Sequence, residues 1–125
     1  MSSVLIVEDS EATRALIRNV IEDIGDDLNT TEAASGFEAL KLLPSESFDL
    51  IITDMTMPGI TGDNFAQKIL EIRADIPIIL CTGHSDSVSP KSAKEAGVRE
   101  FLMKPLARKE LGEAVRRVLD AKEET

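Results

Sequence analysis

Glu8, Asp9, Asp54, Thr82 and Lys104 offer three carboxylates, a hydroxyl and an ammonium, each at the end of a short apolar run. Val4-Leu5-Ile6-Val7 leads into Glu8-Asp9, Leu50-Ile51-Ile52-Thr53 into Asp54, Ile78-Ile79-Leu80-Cys81 into Thr82, and Phe101-Leu102-Met103 into Lys104. Carboxylates brought within a few ångströms of one another raise each other's pKa and oppose folding, a conflict that a divalent cation removes. Oxygen ligands without a His or Cys cluster favour a hard ion. A site with few protein ligands, open to water and phosphate oxygens, suits Mg²⁺ better than Ca²⁺. The lone His84 and lone Cys81 are too few for zinc. An Asp held by a metal beside a Lys and a Thr is equipment for phosphoryl transfer: a nucleophile, charge neutralisation, and a hydroxyl to orient a phosphoryl oxygen. Each residue alone also has an ordinary reading. Asp9 could cap a helix, Asp54 could begin a turn before Met57-Pro58-Gly59, Thr82 could satisfy backbone, and Lys104 could be plain surface.

What singles the set out is its shared placement, and that placement needs a particular scaffold. The chain repeats a short β-branched run, a turn, and a helical stretch with apolar residues three or four apart. Leu16, Ile17, Val20, Ile21 and Ile24 mark the first helix, with Gly25 as its C-terminal cap. Residues 28–33 form a polar, Thr-rich strand suited to a sheet edge. Phe37, Leu40 and Leu43 mark a short helix stopped by Pro44, and Phe65, Ile69, Leu70 and Ile72 a third. A fourth helical stretch, 89–97, opens with Ser89-Pro90 but offers only alanines such as Ala93 and Ala96 to bury, which predicts loose packing. The last helix turns Leu111, Val115, Val118 and Leu119 inward, and the charged tail 122–125 is expected to fray. Strands alternating with helices predict an α/β fold: a five-stranded parallel sheet with helices on both faces. Ligands in such sheets bind beyond the carboxyl ends of the strands, where the strand order reverses.

Length and composition are consistent with one domain over 1–125. At 125 residues the chain can bury a core without a disulfide or structural metal, and its 42% hydrophobic content argues against disorder. The absence of a long apolar run or signal-like start predicts a cytoplasmic protein with no membrane segment. A formal charge of −9 repels phosphate backbones, so no direct nucleic-acid partner is expected. No Gly-rich turn follows the first strand, where Glu8-Asp9-Ser10 stands, which excludes a dinucleotide fold.

From Val4 to about Leu119 the sequence resembles the receiver domains of two-component response regulators. The resemblance rests on Glu8-Asp9, on Asp54-Met55-Thr56-Met57-Pro58 with Gly62, on Thr82-Gly83, on Lys104-Pro105, and on Phe101 three residues before the Lys. The phrase from Leu80 to Asp86 is also similar to receivers attached to hybrid sensor kinases. The resemblance implies a flavodoxin-like, doubly wound (βα)5 fold in which Asp54 accepts a phosphoryl group from a sensor histidine kinase or histidine phosphotransfer protein. It implies Mg²⁺ bound by Asp9, Asp54 and the Thr56 carbonyl, with Glu8 acting through water. Lys104 would pair with Asp54 and then with a phosphoryl oxygen. Thr82 and the Gly83 N–H would hold the phosphoryl group, Thr82 and Phe101 would switch, and Thr56 and His84 would tune acyl-phosphate lifetime.

The chain is expected to be a signalling domain without an output domain, which would phosphorylate and dephosphorylate itself and act on no outside substrate. The fourth and fifth helices with the fifth strand would be the switched face. That face carries Lys91, Lys94, Arg99, Arg108, Lys109, Arg116 and Arg117, half of the 14 basic residues. It reads either as a surface for a downstream protein or a homodimer, or as a solvated face paired with Glu95, Glu100, Glu110 and Glu113. The first helix is core in its ordinary reading, and a docking place for a kinase or phosphotransfer helix by the resemblance. Two rivals remain: a phosphate-independent pseudo-receiver, which would be expected to lack an acid, the Thr or the Lys, and an Asp-nucleophile phosphatase, which would have a second Asp where Thr56 stands.

Overall fold

The computed structural model describes residues 2–25, 28–54, 56–57, 60–73, 75–82 and 97–124. Within them run β1 (Ser2–Val7), α1 (Glu11–Ile24), β2 (Leu28–Ala33), α2 (Gly36–Leu42), β3 (Leu50–Asp54), β4 (Thr56–Met57), β5 (Ile60–Thr61), α3 (Gly62–Ile72), β6 (Ile78–Thr82), β7 (Glu100–Met103) and α4 (Arg108–Glu124). The expected fourth helical stretch, with Ala93, Ala96, Lys91 and Lys94, lies outside the described residues up to its closing Gly97. Five strands pair in parallel in the order β2-β1-β3-β6-β7, so the predicted α/β sheet is present with β2 at its edge. The antiparallel pair β4–β5 is an addition that the sequence pattern did not announce.

Alternation along the buried strands builds two cores, one on each face, because successive side chains point to opposite sides of a sheet. Leu5, Val7, Ile51, Ile78 and Leu80 pack with Ala39, Leu43, Phe65 and Ile69 of the α2–α3 side. Val4, Ile6, Leu50, Ile52, Ile79 and Cys81 pack with Ile17, Val20 and Ile21 of α1 and Leu111, Ala114, Val115 and Val118 of α4. Each fully buried Ile or Leu contributes ~2 kcal/mol of transfer free energy, so this double core dominates the fold's stability. None of the described helices is long and apolar enough to cross a membrane.

Some local expectations need correction. Phe37 is 54% exposed and Ile72 43% exposed, because Ala39 and Leu43, and Phe65 and Ile69, occupy the inward positions of their helices. Gly25 is the C-terminal cap of α1, as expected, in an extended conformation (φ −178°). Residues 122–124 form the last turn of α4. Gly97 has φ 99°, a left-handed conformation that favours glycine ahead of β7, and a Cβ there would displace the end of the Leu70 side chain.

Candidate functional site

The sheet order reverses between β1 and β3: from β1 the chain crosses to β2 on one side and returns to β3 on the other. This is the switch point at which open α/β sheets bind ligands. Glu8 and Asp9 follow β1 there, and Asp54 ends β3. One carboxylate oxygen from each of Glu8, Asp9 and Asp54 lies within 4.8 Å of the others. Register places Asp54 beside Cys81, so Thr82 follows one residue further along β6. The Lys104 N–H donates to the Thr82 carbonyl at 2.7 Å, extending the β6–β7 pairing by one step and fixing Lys104 at the same sheet end. Its Nζ lies 2.9 Å from Asp54 Oδ1 and 3.2 Å from Glu8 Oε2.

Burial sharpens the electrostatics. Glu8, Asp54 and Thr82 are buried, whereas Asp9 is exposed at the mouth. Burial first, and the Asp54 charge second, push the Glu8 carboxyl up to about 7, although Lys104 and the Ser10 N–H pull the other way. Burial opposes the charge on Lys104, but its hydrogen bond to Asp54 and the charges of Glu8 and Asp54 outweigh that and raise its pKa. One ammonium thus serves two buried carboxylates, with a third at the mouth. An oxygen-only cluster left with excess negative charge is a fit for a hard divalent cation.

The local structure also decides between ordinary readings and functional ones. Ser10, not Asp9, caps α1: its hydroxyl accepts from the Thr13 N–H at 3.3 Å, which leaves the Asp9 carboxylate out of the cap. Phe101 is half-buried and packs against the α2–α3-side core. Cys81 is buried, and burial pushes its thiol up to about 12, so it is inert packing beside the site. Met55, Pro58, Gly59, Gly83 and His84 lie outside the described residues, and for Thr56 only the strand backbone is described. Sequence reasoning passed over Arg14, whose Nη1 donates to the Glu8 carbonyl at 2.6 Å. No periodic signal marks such a contact, because it joins a helix side chain to a loop backbone.

The family model for the response regulator receiver domain matches residues 4–116. The chain belongs to that family. It is 37% identical over 118 residues to the response regulator UvrY of Escherichia coli K12, covering 94% of this chain and 54% of UvrY. It is 33% identical over 122 residues to the chemotaxis protein CheY of Pseudomonas aeruginosa, covering 94% of this chain and 95% of that one. The receiver domain protein solved from Clostridium thermocellum superposes with a TM-score of 0.88 at 27% identity, covering 98% of both chains. The receiver thus spans about half the length of UvrY but nearly the whole of CheY. Receiver domains are signalling domains of two-component systems that bind Mg²⁺ at an acidic pocket, and Glu8, Asp9 and Asp54 form an acidic cluster here.

Proposed function

We propose that this receiver relays a phosphoryl group through Asp54, with Mg²⁺ held by Asp9, Asp54 and the Thr56 carbonyl directly and by Glu8 through water. The observation that supports this most is the position of Lys104 Nζ, 2.9 Å from Asp54 Oδ1 in a cluster of three carboxylates. When bound, the cation neutralises charge that gathers on the phosphoryl oxygens. An Asp54 oxygen forms the new P–O bond as the P–N bond of a phosphohistidine breaks; the electron pair stays on the imidazole nitrogen, which takes a proton. Lys104 then exchanges Asp54 for a phosphoryl oxygen without leaving the site. Thr82 donates its hydroxyl to a second oxygen, and the Gly83 N–H serves a third. Loss of the phosphoryl group reverses the charge change: water adds to phosphorus as the P–O bond to Asp54 breaks, the electron pair returns to the carboxylate, and inorganic phosphate leaves with the water proton shed to solvent, Thr56 and His84 setting the rate.

Phosphorylation adds roughly 1.5 to 2 negative charges, enough to draw Thr82 inward and reorganise the loop beside it. Phe101, half-buried on β7, follows into the space that opens. The face formed by 89–97, β7 and α4 then presents a changed surface to a downstream protein or a second copy. The donor is a sensor histidine kinase or a histidine phosphotransfer protein. The receiver domain over 1–125 works inside the cell as a phosphoacceptor and not as an enzyme on outside substrates.

Intact-mass measurement after incubation with a small phosphodonor and Mg²⁺ tests the assignment. One phosphoryl mass is expected on wild type and none on Asp54→Asn. A label that persists in the variant overturns the choice of Asp54. A folded wild type that never takes label points instead to a phosphate-independent interaction module.

A further inference from the structure

The sequence reading left the basic residues of α1 without a role. Arg14 is well covered, with a side chain 16% exposed, and it makes two contacts at once. Its Nη1 donates to the Glu8 carbonyl at 2.6 Å, and its Nε lies 3.4 Å from Glu32 Oε1 on the edge strand. The other oxygen of Glu32 is held by Arg18 Nη1 at 2.8 Å. Register sets Glu32 beside Ile6 and Ala33 beside Val7, and the Glu8 N–H donates to the Ala33 carbonyl at 3.1 Å. Both sides of the Glu8 backbone are therefore anchored.

The Glu8 carbonyl belongs to the planar peptide unit that joins Glu8 to Asp9, so fixing its direction also fixes the direction in which Asp9 leaves the strand. A short, charge-assisted hydrogen bond is strong enough to do this. Glu32 matters because a free arginine would lose much rotamer entropy on holding that carbonyl, and the ion pair restrains it in advance. We infer that Arg14, braced by Glu32, is a positioning residue for the acidic loop, setting the geometry in which Glu8 and Asp9 bind a cation. A simple surface ion pair would contribute little to anything; the bond to the loop backbone is what distinguishes this one.

The inference rests on the Mg²⁺ reading above. Titration of the full chain with MgCl₂, followed by backbone amide NMR, separates the two. Arg14→Gln should weaken Mg²⁺ binding roughly ten-fold, in line with the loss of an outer-sphere partner, and Glu32→Gln should act in the same direction but less. Arg14→Lys should recover most of the affinity, since an ammonium can still donate to the Glu8 carbonyl. At saturating Mg²⁺ the phosphodonor labelling rate of Arg14→Gln should return to that of wild type. Unchanged affinity in Arg14→Gln, no recovery with Lys, or a rate deficit that survives saturation each overturns the inference. A wild type that does not titrate, or that titrates identically to Asp9→Asn, overturns the cation site instead.

Discussion

Lys104 and Arg117 each hold a carboxylate at nearly the same distance, 2.9 Å to Asp54 and 2.7 Å to Glu100, yet the two pairs are not alike. Asp54 and Glu8 are almost fully buried around Lys104, while Arg117 stands in solvent on α4 with only its partner partly covered. Water and salt screen the shorter pair, and the side chains must give up rotamer freedom to form it. Around Lys104 the screening is weak and the carboxylates outnumber the cation, so removing it leaves buried charge without compensation. The shorter contact is the less consequential one. Arg108 and Asp23, 3.5 Å apart and both well exposed, belong with Arg117.

The comparison can be broken at its strong end first. Lys104→Ala should lower unfolding free energy in chelator at pH 8 by about 2–3 kcal/mol, toward the low side of a broken buried pair because Nζ retains some solvent. Denaturant titration measures this, and saturating Mg²⁺ should narrow the gap by mass action. A loss no larger than that of a surface pair would erase the distinction drawn above.

Glu8 supplies the next effect. Its folded pKa, about 7, lies above the ordinary 4.5, so between those values the folded state keeps a proton that the unfolded state has lost. Stability from this group therefore falls as pH rises from about 4.5 to about 7 and is flat above. Glu8→Gln should remove that slope: in chelator, wild-type stability minus that of the variant should fall as pH rises across the window and level off above it. A difference independent of pH would mean that Glu8 is not held neutral by its surroundings. The smallest effect belongs to Arg117→Ala, which should leave the melting temperature at physiological salt within the scatter of replicate scans.

Much of the scaffold was legible because strand burial in a parallel sheet writes itself as unbroken apolar runs. Val4 to Val7, Leu50 to Thr53 and Ile78 to Cys81 fall within observed strands, and the polar run 28–33 is the edge strand it resembled. Helix faces were less legible in short or shared cases. Phe37 carries the larger apolar side chain, yet Ala39 faces the core, because a seven-residue helix offers little periodicity and packing selects position over hydrophobicity. The positions of Glu8, Asp9, Asp54, Thr82 and Lys104 at one sheet end were also readable, since topology places every carboxyl strand end on the same side.

By itself, the sequence determined which groups could do chemistry and that a parallel sheet must gather them, because residue type and hydrophobic period are local properties of the chain. Tertiary structure alone decided that Lys104 lies between two buried carboxylates, that Ser10 and not Asp9 caps α1, and that Arg14 grips the Glu8 backbone. These depend on distances and desolvation between residues as many as 96 positions apart, which no local pattern encodes.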